Sequence, residues 1–143
     1  MTPSSTSRTN GAGFLLRWLE DVDARSPTPL YEQIGSRLRA AVAGGVLKTG
    51  DALPSVRQLA SELRINPATV VQAYRLLEEA GFAEMRQGAG TFVREVGGEH
   101  RQRERESQAR RLVRELLAEA GRAGLSAKEI KTAWDDLLKE RDR

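Results

Sequence analysis

Hydrophobic positions recur along this chain at two different periods. From residue 30 to 43, "LYEQIGSRLRAAVA", the apolar side chains Ile34, Leu38, Ala41 and Val42 form one helical stripe, and Gly44-Gly45 ends it. Residues 55 to 63, "SVRQLASEL", repeat the helical pattern with Val56, Leu59, Ala60 and Leu63, led by Ser55 as N-cap. "RIN" at 64 to 66 is a short turn. Residues 67 to 80 then place Val70, Ala73, Tyr74 and Leu77 at i, i+3, i+4 and i+7, with Asn66 as cap, Pro67 at the first helical position and Gly81 as the stop. The period changes at "FAEM", 82 to 85, and "TFVR", 91 to 94, which read as two short strands joined by "RQGAG" at 86 to 90. Beyond Gly97-Gly98 the helical period returns. Leu112, Val113, Leu116, Leu117 and Ala120 share one face, Gly121 and Gly124 break it, and "LSAKEIKTAWDDLLKE" restarts with a capping box from Ser126 to Glu129. Ile130, Ala133, Trp134, Leu137 and Leu138 form the last stripe.

This pattern predicts an α+β fold, mainly α. Residues 1–13 are polar and rich in Gly, Ser and Thr, and are expected to be a disordered leader. Residues 14–29 read as a short helix or strand ending at Ser26-Pro27. The expected domains are 14–97 and a helical tail, 98–143. Helix, helix, short turn, helix and hairpin is the order of a winged helix-turn-helix, whose third helix enters the major groove with its N-terminal residues. The start of that helix suits the task. Ala68 and Thr69 are small, Asn66 and Thr69 can hydrogen-bond, methyls of Ala68 or Thr69 can meet a thymine methyl, and free N–H groups attract phosphate. Thr69 also fits as a core-edge residue. Arg86 and Gln87 fit either a plain hairpin surface or a contact with phosphate or the minor groove, while Gly88 and Gly90 are turn residues in both cases.

Bulk properties narrow the picture. Hydrophobic content of 39% supports a modest core, and 30% charged residues with a mean hydropathy of -0.50 argue for a soluble chain. No run of 18 apolar residues suggests a membrane span. The formal charge is +3 and spread evenly, so DNA affinity must come from local placement of a few cations. With no cysteine and only His100, neither a disulfide framework nor a metal cluster is expected, and no cofactor is assigned. These features fit a cytoplasmic protein. Catalysis finds no constellation: Asp135 and Asp136 are adjacent and do not share a helix face, and "GAGTF" lies between strands rather than between strand and helix.

"PLYEQI" at 29 to 34, "GDALPSVRQLASEL" at 50 to 63, "NPATVVQAYRLLEEAG" at 66 to 81 and "GAGTFV" at 88 to 93 resemble the DNA-binding domain of GntR-family bacterial transcription regulators. The resemblance covers roughly residues 28 to 95. The short tail is similar to that of the YtrA subfamily, whose regulators carry only two further helices. The resemblance implies that Arg57 contacts a phosphate or a guanine from helix 2. It implies that Asn66, Pro67, Ala68 and Thr69 start the recognition helix, and that Gly88 and Gly90 shape a wing tip reaching the minor groove. Pro67, Ala68 and Val71 stand where some members carry a basic residue, so guanine reading by those members' cations is not carried over. Gln72 and Arg75 are the polar candidates further along the helix.

The tail's two amphipathic helices cannot bury their stripes alone. Leu112, Leu116, Leu117, Trp134, Leu137 and Leu138 need a second surface, which a twofold copy supplies as a self-complementary four-helix contact. The alternative is a tail folded back on its own winged helix. The functional expectation is a homodimeric regulator binding an inverted-repeat operator in double-stranded DNA. The subfamily resemblance suggests a repressor of a nearby operon, with a transporter operon as the model. The competing reading is a protein-interaction module built on a winged helix that does not read DNA. Two short helices offer no legible pocket, so no small-molecule effector is assigned.

Overall fold

The computed structural model describes residues 17–143. The expected leader, 1–13, lies outside the described residues, as does part of the 14–29 segment. The chain divides into two compact units, Met1–Arg105 and Glu106–Arg143.

The first unit is a winged helix-turn-helix. A helical turn at 17–19 leads in, and its Leu19 is completely buried, with Trp18 and Val22 packed against the same core. Helix α1, Leu30–Ala43, has no side-chain cap at Pro29. Gln33 instead ties the incoming strand of chain to it: its Nε2 donates to the carbonyls of Asp23 and Thr28, each at 2.8 Å, and its Oε1 accepts from the Asp23 N–H at 2.8 Å. Helix α2, Val56–Leu63, starts where Ser55 Oγ accepts from the Gln58 N–H at 3.0 Å. It ends at Arg64, a non-glycine residue in the left-handed region with φ 57°. Helix α3, Pro67–Glu79, ends at Ala80 and Gly81, the glycine taking φ 84° so the Phe82 N–H can return to the Leu77 carbonyl at 3.0 Å.

Strands β1, Ala83–Arg86, and β2, Gly90–Val93, pair antiparallel, Ala83 opposite Val93 and Arg86 opposite Gly90. Each lies one residue from the span expected of it. Phe82 spends its N–H closing α3, so the ladder opens at Ala83, and the connecting loop is only 87–89. The segment before α2 adds a third edge. Ala52 bridges Phe92, Gly50 N–H donates to the Val93 carbonyl at 2.8 Å and Leu53 N–H to the Thr91 carbonyl at 2.9 Å. The core under these elements joins Leu19, Ile34, Leu38, Leu59, Val70, Leu77, Phe82 and Val93. Burying such side chains contributes about 1.5–3 kcal/mol each before the entropy of ordering is charged against it.

Helix α4, Gly98–Arg122, begins in the first unit and ends in the second. Its first turns pack on the winged helix. His100 Nε2 lies 2.7 Å from the Ala80 carbonyl at the end of α3, its ring stacks on Phe82 at 4.6 Å, and Glu104 pairs with Arg39 of α1 at 3.2 Å. The expected break at Gly121 does not occur. Gly121 stays helical at a cost of about 1 kcal/mol relative to Ala, and Gly124 alone turns left-handed, with φ 79°, so Leu125 N–H closes on the Ala120 carbonyl at 2.8 Å. Helix α5, Ala127–Arg141, begins with the expected capping box: Glu129 N–H donates to Ser126 Oγ, and Ser126 N–H to Glu129 Oε1 at 2.9 Å. The Ser126 N–H and then its hydroxyl, both donating to Glu129 Oε1, hold the Glu129 carboxyl below its usual range. No residue of α5 is buried.

Candidate nucleic-acid interface

Three elements of the first unit present the candidate residues. Arg57, in the first turn of α2, is exposed and has no hydrogen bond or ion pair among the described residues. Its guanidinium is therefore free to meet an external acceptor. On α3, Val70, Ala73, Tyr74 and Leu77 face the core, which turns Ala68, Val71, Gln72 and Arg75 outward. Gln72 and Arg75 are likewise unpartnered among the described residues. Thr69 is half-buried, between the two faces.

The α3 start departs from the sequence expectation in one respect. Pro67 has no N–H, the Ala68 N–H donates to Asn66 Oδ1 at 2.9 Å, and the Thr69 N–H donates to the Asn66 carbonyl at 2.9 Å. The first three backbone positions therefore offer no bare donor to a phosphate. What this end presents instead is side chains: the Asn66 amide nitrogen, the Thr69 hydroxyl, and the small apolar surface of Pro67 and Ala68. Orientation comes from Tyr74, whose hydroxyl donates to the Pro54 carbonyl at 2.7 Å inside the core and pins α3 to the lead-in of α2. Burial pushes the Tyr74 hydroxyl above the usual phenol range.

The hairpin tip carries Gln87, Gly88 and Ala89, all exposed. Gly88 has φ 77° and Gly90 φ 116°, a backbone no ordinary side chain adopts without strain, while a Cβ at either would meet nothing within 4 Å. Arg86 is not a free cation. It pairs with Glu84 at 3.0 Å on the same strand face and lies over the Phe92 ring at 4.3 Å. Alternation along β1 brings residues 84 and 86 to one side, a signal available in the sequence once the strand register is known.

Sequence reasoning passed over His100 and Glu104 as structural parts. Only their contacts with Ala80, Phe82 and Arg39 reveal them, and these lie 18 to 65 residues away in the chain. Among the described residues no group of three His, Asp or Glu side chains stands where it could hold a metal ion, and no helix is long and apolar enough to cross a membrane. In the second unit, the six stripe residues are all well exposed: Leu112, Leu116, Leu117, Trp134, Leu137 and Leu138.

A family model described as "Bacterial regulatory proteins, gntR family" matches residues 30–93. The chain is 35% identical to the HTH-type transcriptional repressor YtrA of Bacillus subtilis (strain 168) over 109 residues, covering 76% of this chain and 84% of that protein. Among solved structures, a GntR family transcriptional regulator from Listeria monocytogenes superposes with a TM-score of 0.59 at 29% identity, over 78% of this chain and 96% of that one. YtrA from Sulfolobus acidocaldarius, a GntR-family transcription factor, superposes at 0.51 with 35% identity, over 68% of this chain and 96% of that one.

Proposed function

Because this chain belongs to the gntR family of bacterial regulatory proteins, we propose that it is a cytoplasmic homodimeric repressor that reads an inverted repeat in double-stranded DNA. One observation carries this reading. The outward faces of α2 and α3 present Arg57, Gln72 and Arg75 with no partner among the described residues, while Tyr74 ties α3 to the lead-in of α2. Free donors on a rigid frame are what base-edge and phosphate contacts require. Arg57 supplies the cation, Asn66, Thr69 and Gln72 supply hydrogen bonds, Pro67 and Ala68 permit close approach, and Arg75 meets the backbone. Gln87, Gly88 and Gly90 form the tip that follows the minor groove, with Arg86 beside it.

Dimerisation through Leu112, Leu116, Leu117, Trp134, Leu137 and Leu138 completes the reading. A twofold axis through the tail sets two recognition helices on two half-sites. Repression of a nearby operon, such as a transporter operon, is supported by likeness to the YtrA repressor. The test is a mobility shift on DNA from the chain's own promoter region at several salt concentrations. Affinity that falls with salt yet exceeds that for scrambled DNA supports the reading. Equal affinity for both, or none, returns the winged helix to the role of a protein-interaction module.

A further inference from the structure

Among the described residues, the large hydrophobic side chains left exposed fall into two groups. Eight belong to the second unit, from Leu112 to Leu138. In the first unit there are two, Met85 on β1 and Val71 on α3, the latter 41% exposed. A lone surface valine is ordinary. The register of this one is not. Val71 lies three residues after Ala68, beside Gln72 and four residues before Arg75, on the stripe that α3 turns away from the core. Ala68 and Val71 make the leading half of that stripe apolar, and the first cation on it is Arg75.

We propose that Val71 reads the 5-methyl group of a thymine in the major groove and so specifies one base pair of each half-site. The proposal rests on the DNA-reading function above. The chemistry follows from the side chain. Valine has no donor or acceptor, so it cannot discriminate by hydrogen bonding, and an unmatched polar base edge against it would lose its water without compensation. The thymine C5-methyl is the apolar feature of the major-groove edge. A β-branched side chain in a helix also holds one χ1 rotamer, so its methyls are placed before the DNA arrives. A small Ala68 one turn earlier lets the helix approach closely enough for van der Waals contact. Guanine or cytosine at that position would meet two methyls where it needs a polar partner.

The test uses the full chain and an operator recovered by selection from random duplexes. Each thymine of one half-site is replaced in turn by deoxyuridine, which removes only the methyl. Affinity is measured for the wild type and for Val71→Ala, with circular dichroism to confirm that both fold. Withdrawing one methyl from such a contact is expected to weaken wild-type binding about fourfold at one thymine. In Val71→Ala the same replacement should change affinity by less than about 1.5-fold, whereas a thymine read by Ala68 or Thr69 should keep its sensitivity. If every deoxyuridine effect is the same in both proteins, Val71 reads no methyl and the proposal falls while DNA reading stands. If selection recovers no preferred sequence, the DNA-reading function itself falls, and this inference with it.

Discussion

Leu137→Ala tests the dimer through a quantity that the structure supplies. Leu137 is 58% exposed in the single chain. Fully burying a leucine contributes about 1.5–3 kcal/mol, so covering the exposed part in a dimer is worth about 1–1.7 kcal/mol per chain. A twofold interface loses this twice, about 2–3.4 kcal/mol, which weakens dimerisation about 30- to 300-fold. Sedimentation equilibrium over a wide concentration range reads this directly. The wild-type curve should shift to higher concentration for Leu137→Ala, with its shape kept. The secondary structure of the dissociated chain should not change, since Leu137 supports no core there. A tail folded back on its own winged helix predicts something else: no dependence on concentration, and a loss of thermal stability. A wild type that stays monomeric at all concentrations, or a variant with an unshifted curve, refutes the reasoning.

Three further outcomes follow from the site. Arg57→Ala should weaken operator binding by about 1–3 kcal/mol if the guanidinium makes a bidentate base contact, and by less if it meets only phosphate; folding, checked by circular dichroism, should survive because the residue is exposed and has no partner among the described residues. Arg86→Ala should lower the slope of log affinity against log salt by less than one, because Glu84 already offsets its charge, whereas Glu84→Gln should raise that slope by releasing Arg86. Tyr74→Phe should destabilise the fold by about 1–3 kcal/mol in a denaturant titration, since the buried Pro54 carbonyl loses its donor. The Tyr74 hydroxyl is raised by burial, so above about pH 10 the unfolded chain releases this proton while the folded chain keeps it. Stability should then fall by about 1.4 kcal/mol per pH unit from this group, a loss that Tyr74→Phe lacks.

The helices of the winged domain were legible because each announces itself locally. Ser55 and Asn66 cap from one residue outside their helices, and the stripe Val70-Ala73-Tyr74-Leu77 is buried; of the α2 stripe, Leu59 and Ala60 are buried while Val56 and Leu63 are only partly covered. What stayed hidden depends on partners distant in the chain. The ladder begins at Ala83 because Phe82 serves the end of α3, and four-residue strands carry too little alternation to reveal such a shift. Gly121 and Gly124 look alike as letters, yet only Gly124 has the left-handed φ. The bridge from Ala52 to Phe92, the burial of Leu19 and the docking of His100 and Glu104 all join segments that no local period connects. At the site, residue identities were legible but their availability was not. Asn66 uses its carboxamide oxygen to close the helix start, and Arg86 is held by Glu84 and Phe92.

The central claim is that two copies of this chain read two half-sites together. Its most direct measurement is selection of bound duplexes from a random pool by the full-length protein, followed by sequencing. A dimer on two half-sites should enrich one motif, an inverted repeat with fixed spacing between identical half-sites, and that fixed spacing should be lost when Leu137→Ala breaks the dimer at low protein concentration. Enrichment of a single unrepeated site would contradict the dimeric reading, and a pool that emerges unenriched would contradict sequence-specific DNA binding altogether.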